Sequence, residues 1–372
     1  MVNQKMIYQN NSIKISNWPL LEKIKNSKKI PHALLFHGGE GVGKEFAAIE
    51  FAAYLNCLAP KNNFACRNCS SCTKIISNNH EYIDYIFPLP KGKISSKKDD
   101  ISKSFTDKTL TEYTYELKEK LNDPFHEITI NGANTILINS IRSIKRKVYQ
   151  SIENNSYRAI IIFKSDKLCY PSNESANSLL KILEEPPART IFILVTSKIN
   201  LLLDTIKSRC IEFYFPTPNA EDFNKYNKFL DYTDIDLYRL FNGNIKYVKV
   251  LDNNFIDELT KLIKEYNVSF MNENSDIDLK LIAYIAKLSK NNQLLFNIFI
   301  QSLKCYYKDL INIKFNSEYK PIFPFLKLAN HNSINLNKHN QIDIIENFEK
   351  DCLINLNLEL SLLNLFSKLK VK

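Results

Sequence analysis

Ala33-Leu34-Leu35-Phe36-His37-Gly38-Gly39-Glu40-Gly41-Val42-Gly43-Lys44-Glu45 is the stretch on which the fold turns. The chain holds only seven glycines in 372 residues, and four of them fall between positions 38 and 43. The apolar run Ala33–Phe36 reads as a strand, and Phe46–Leu55 has the composition and length of a helix. Strand, glycine loop and helix follow one another as in a phosphate-binding loop. Gly38-x-x-x-x-Gly43-Lys44 has the spacing at which backbone N–H groups, among them those at Gly41, wrap a polyphosphate while the lysine reaches its outer phosphates. The next position normally carries a Ser or Thr hydroxyl for Mg²⁺, and here it carries Glu45. A carboxylate at that point repels phosphate, so a second reading stands beside the first: a tight turn packing helix on strand, with nucleotide affinity weak or lost.

Directly after that helix come Cys57, Cys66, Cys69 and Cys72, a C-x₈-C-x₂-C-x₂-C array. Four thiolates so spaced suit a closed tetrahedral zinc site with no open position for water, hence a structural metal. Cys169, Cys210, Cys305 and Cys352 are isolated in sequence and read as buried thiols. Residues from about 91 to 120 turn polar and read as a surface insertion. Ile136-Leu137-Ile138 is expected to be a strand, with Ser140 capping a helix whose basic face carries Arg142, Lys145 and Arg146.

Arg158–Phe163 and Thr190–Thr196 are continuously apolar, as strands buried on both faces require. A hydrolytic site needs carboxylates at the end of the first of these, yet Lys164-Ser165-Asp166-Lys167 supplies only Asp166. With Glu45, this makes Mg²⁺-dependent hydrolysis by the chain alone an unfavoured reading. Ser175–Glu185 is a helix stopped by Pro186-Pro187, and Ile206-Lys207-Ser208-Arg209-Cys210 leads into the alternating Ile211–Phe215. Alternating strands and helices give a doubly wound α/β sheet.

Ile30-Pro31-His32-Ala33 before the loop, the cysteine insert after its helix, LLKILEEPP at Leu179–Pro187 and Ser208-Arg209-Cys210 occur in the order found in the bacterial clamp-loader branch of the AAA+ family. The chain resembles that family over roughly residues 20–216. Its last third agrees in length and helical character, and Asn355–Leu365 resembles the last helix of one subunit type. The resemblance implies an AAA+ domain over 1–216 with a zinc module at 57–72, a helical lid over 217–262 and an all-α collar over 263–372. It also implies a hetero-oligomeric ring with gamma/tau and delta subunits, engaging primed DNA and, indirectly, the sliding clamp. Arg209 would then be an arginine finger reaching the ATP of a neighbouring motor subunit. Thr196 falls on the family's sensor strand, and Lys246 stands where working members carry a sensor arginine. Members lacking hydrolysis serve mainly as architecture. A gamma/tau-type motor is the alternative, and it would have Ser or Thr after Lys44.

Composition fits this frame. Hydrophobic residues make up 44% and charged residues 24%, the balance of a globular chain without the long apolar run of a membrane span. The net charge of +10 favours an anionic partner. It keeps open a stand-alone zinc-containing nucleic-acid binder, although the cysteine segment carries little basic content beyond Lys61 and Arg67. Met1–Met6 lack the pattern of a secretory signal, so the expected compartment is the cytoplasm.

Overall fold

A computed structural model describes residues 15–27, 29–123, 125–152, 156–226, 235–271, 279–316, 318–328, 340–352 and 357–370. Residues 1–14, 227–234, 272–278, 329–339 and 353–356, on which parts of the expected lid and collar fall, lie outside the described residues. The chain forms two compact units, one running through Asp222 and including Asn244–Lys246, the other comprising Phe223–Gly243 and Tyr247–Lys372.

In the first unit, α1 (Trp18–Lys25) precedes β1 (Ala33–Gly38), α2 (Lys44–Asn56) and α3 (Ser70–Ile76), followed by β2 (Ile83–Ile86), α4 (Asp107–Asn122) and α5 (Ile138–Lys147). Then come β3 (Arg158–Ile162), α6 (Glu174–Glu184), β4 (Thr190–Thr196), α7 (Asp204–Lys207) and β5 (Ile211–Phe215), and α8 (Ala220–Asn224) runs across the boundary into the second unit. The five strands are all parallel in the order β2-β3-β4-β1-β5. Leu35 stands opposite Leu194, and Ile161 opposite Ile193. β3 and β4 are buried at every position, which is what a central parallel strand with both faces covered demands. α2 is buried from Phe46 to Asn56, so it is apolar all round and has no solvent stripe.

Two elements depart from the sequence reading. Ile136–Ile138 is not a strand: Leu137 is the N-cap of α5, Ile138 its first residue, and Ser140 lies inside the helix. The backbone of this segment is committed to a helix start instead, the Ser140 N–H donating to the Leu137 carbonyl at 3.0 Å, and both edges of β3 are already taken by β2 and β4. The polar insertion is more than surface loop: α4 spans 16 residues, starts on a Thr106 side-chain cap to the Thr109 N–H, and buries Leu117 and Leu121.

The second unit is helical: α9 (Leu237–Leu240), α10 (Ile245–Val250, begun in the first unit), α11 (Asn253–Met271), α12 (Leu279–Asn291), α13 (Gln293–Phe315), α14 (Asn340–Cys352) and α15 (Leu358–Lys370). Its centre is α13, where Tyr306 and Tyr307 are fully buried. Asp309 is also fully buried, and it accepts hydrogen bonds from the Tyr319 hydroxyl at 2.8 Å and the Phe323 N–H at 3.1 Å. No described helix is long and apolar enough to cross a membrane.

Candidate functional site

The loop between β1 and α2 takes the conformation its glycines permit. Gly41 and Gly43 have φ of +65° and +87°, and a Cβ at Gly41 would collide with the Asn244 side chain. Gly43 caps α2, so the helix N-terminus faces the cleft as in an anion site. The Lys44 ammonium folds back onto the loop, donating to the Gly38 carbonyl at 2.9 Å and also to that of Gly39. Burial holds its pKa down to about 8, with Glu45 and Glu40 opposing the shift.

The cleft is lined by Lys44, Lys164 and Lys246 on one side of the charge balance and Glu40, Glu45 and Glu127 on the other, a formal sum of zero. Its volume is about 90 Å³, well under the roughly 300 Å³ at which small-molecule sites begin. Phe125, His126 and Glu127, which follow α4, form one wall. The cleft acids Glu45 and Glu127 are both paired. Glu45 pairs with Lys120 of α4, whose ammonium also donates to the His126 carbonyl at 2.7 Å. Glu127 pairs with Lys164 at 2.8 Å and with Lys246. Burial lowers the pKa of both Lys164 and Lys246, with nearby glutamates pulling the other way.

Asp166, the one acid left at the end of β3, is buried and does not line the cleft. Its Oδ1 accepts the Thr196 hydroxyl at 2.8 Å. Thr196 and Lys246 do line it, as the sequence placed them. Lys120 and Glu127 are functional neighbours that the sequence did not point to. Glu127 and Lys246 are 119 positions apart, and the fold brings them together.

Cys57, Cys66, Cys69 and Cys72 are brought together as expected, their sulfurs all within 4.8 Å of one another and none in a disulfide. A tetrahedron with Zn–S bonds of roughly 2.3 Å needs sulfurs about 3.8 Å apart, so a small contraction fits the set to zinc. The backbone is already arranged for thiolates: the N–H groups of Cys66, Cys69 and Cys72 point at the sulfurs of Cys57, Cys66 and Cys69, at 3.1, 3.4 and 3.5 Å. The loop is tied to the domain through Trp18, which stacks on Phe64 at 4.5 Å and donates to the Asn63 carbonyl at 3.1 Å.

Arg209 follows α7 at the surface. Its guanidinium donates to the Thr205 carbonyl and to Glu184, both at 2.9 Å, and about a third of the side chain is exposed. The basic face of α5 is largely taken up by the insertion: Arg142 donates to the Lys97 carbonyl and Arg146 pairs with Asp100 at 2.7 Å.

Residues 14–219, more than half of the chain, match the family described as DNA polymerase III, delta subunit. The chain belongs to that family. Among curated relatives is the delta-prime subunit of Buchnera aphidicola subsp. Schizaphis graminum, 24% identical over 85% of the chain and 83% of the relative. Another is the gamma subunit of the same organism, 28% identical over 71% of the chain. The chain spans 54% of that gamma subunit's length. Among solved structures, a DNA polymerase III gamma subunit-related protein of Thermotoga maritima is 15% identical over 95% of the chain and 98% of its own length, with a TM-score of 0.43. The family match and the delta-prime relatives agree, and the five parallel strands with a glycine loop after β1 make this part of the chain a P-loop α/β domain.

Proposed function

We propose that the chain is a delta-prime-type subunit of a bacterial clamp loader, a ring member that assists ATP hydrolysis next door and performs none itself. The observation that carries this is an asymmetry within one domain. The phosphate loop has lost its Mg²⁺ ligand to Glu45, its cleft is small and charge-neutral, and Asp166 is turned to Thr196. Arg209, by contrast, keeps about a third of its side chain exposed at the surface, and among the described residues it is held by one carbonyl and one exposed carboxylate. A guanidinium is suited to the charge that develops on a transferred γ-phosphoryl group, because it is always ionised and offers paired donors.

On this reading zinc at Cys57, Cys66, Cys69 and Cys72 is structural, ATP binding by this subunit is weak or absent, and the second unit comprises lid and collar. The partners are gamma/tau and delta subunits, with primed DNA inside the ring and the sliding clamp reached through the assembly. Arg142 and Arg146 are engaged within the chain, which makes α5 a poor DNA-binding surface. Mixing the purified chain with gamma- or tau-type and delta-type subunits tests the proposal. Recovery of a stoichiometric complex with DNA-stimulated ATPase is the expected outcome. A chain that stays monomeric and hydrolyses Mg·ATP unaided would instead be a motor.

A further inference from the structure

Three positions break the family pattern at the phosphate cleft: Glu45 for the Mg²⁺-binding hydroxyl, Lys164 at the end of β3, and Lys246 in place of a sensor arginine. In the folded chain they form two ion-pair sets that meet on one segment. Glu45 pairs with Lys120 of α4, and Lys164 and Lys246 share Glu127, which follows α4. We propose that Glu127 is a built-in occupant of the phosphate cradle, its carboxylate bound by the cations that a nucleotide's outer phosphates would otherwise engage. This rests on the reading that the subunit's own site is not hydrolytic, and it deepens that reading. Refusal of nucleotide then belongs to the segment after α4 as well as to Glu45.

The geometry supports occupancy over a chance surface pair. Lys164 and Lys246 both line the cleft, and the one carboxylate bridges them. The segment bearing it is fixed on both sides. Phe125 and Ile128 are buried, Lys120 donates to the His126 carbonyl, Lys164 to the Ile128 carbonyl at 3.1 Å, and Glu116 accepts the Thr129 N–H at 2.8 Å. Glu127 is therefore presented by a tethered turn. With its charge counted, the cleft sums to zero, so an incoming polyphosphate meets no net attraction and must first displace a bound anion. Without that charge the same walls carry a net positive charge.

Glu127→Gln keeps the shape of the side chain and removes the anion, and the anchors on either side remain. The probe is inorganic pyrophosphate, titrated by calorimetry into the full-length chain and read beside its melting temperature and zinc content. The wild type is expected to bind with Kd above about 1 mM, and Glu127→Gln at least tenfold more tightly, a difference of about 1.4 kcal/mol. Adding Glu45→Thr should tighten it again. A Glu127→Gln chain that melts like the wild type yet binds pyrophosphate no better overturns the proposal, as does a wild type that binds it with micromolar affinity. Glu127→Ala is the second variant, and it must behave the same way. The ring reading fails on a different result: a chain whose pyrophosphate affinity follows Glu127 but which joins no motor subunits refutes that reading and supports this one.

Discussion

Trp18 is the sole tryptophan of the chain, and it lies against Phe64 inside the loop bracketed by Cys57 and Cys66, so its fluorescence reports on the cysteine module. The perturbation is removal of metal, by a high-affinity chelator or by Cys69→Ser. Ordering the sixteen residues from Cys57 to Cys72 costs about 1–2 kcal/mol each in backbone entropy, roughly 16–32 kcal/mol in all. Contacts that survive without metal are few. Burial of Phe64 gives about 2–3 kcal/mol, its stack on Trp18 about 1, and the Trp18 N–H bond to Asn63 about 1. Zinc binding, about 10–16 kcal/mol in small zinc peptides, is larger than these contacts together and is the main term holding the module ordered. Chelation should therefore release one zinc per chain and shift Trp18 emission to the red in step with it. Far-UV dichroism should hardly change, because α3 is only 7 of 372 residues. A chain that loses all metal with unchanged emission, or that carries no zinc after purification without chelators, would refute the reasoning.

Three further outcomes follow from the same structure. Asp309→Ala should destabilise the second unit by about 1–3 kcal/mol in urea unfolding, since it leaves the buried Phe323 N–H without its acceptor while the half-buried Tyr319 hydroxyl keeps Arg239 as a partner; a change below about 0.5 kcal/mol would contradict this. Lys44, held down near 8 by burial, binds fewer protons folded than unfolded between about pH 8 and its ordinary 10.5, so its contribution to stability rises with pH across that window. Its part of the slope is at most about 1.4 kcal/mol per pH unit, and a Lys44→Met chain with an unaltered slope would rule it out. Arg209→Lys should rescue little of the loss caused by Arg209→Ala in loader ATPase, because an ammonium lacks the paired planar donors; full rescue would assign the residue a plain charge role.

The phosphate loop, the central strands and the cysteine module were legible because each rests on local sequence: glycines at fixed spacing, continuous apolar runs, and thiols within sixteen residues. β2 was not. Ile83-Asp84-Tyr85-Ile86 is a four-residue edge strand with two half-buried positions, too short and mixed to stand out from loop. Ile136–Ile138 misled because three apolar residues suit a strand or a helix start equally, and the bond from the Ser140 N–H to the Leu137 carbonyl decides between them. Leu110, Tyr113, Leu117 and Leu121 recur at helical spacing in α4, but the surrounding Lys, Glu and Thr hid them under a polar average. The charge network of the cleft was invisible for a different reason. Glu45, Lys164 and Lys246 read singly as losses, and their partners Lys120 and Glu127 come from a segment whose docking no local pattern encodes.

The most direct measurement compares two substitutions in one reconstituted loader, Arg209→Ala and Lys44→Ala in this subunit, by DNA-stimulated ATPase. The account predicts that Arg209→Ala slows hydrolysis at the neighbouring site it serves by on the order of 10³-fold, while Lys44→Ala leaves the rate unchanged. Loss of activity with Lys44→Ala and full activity with Arg209→Ala would contradict it.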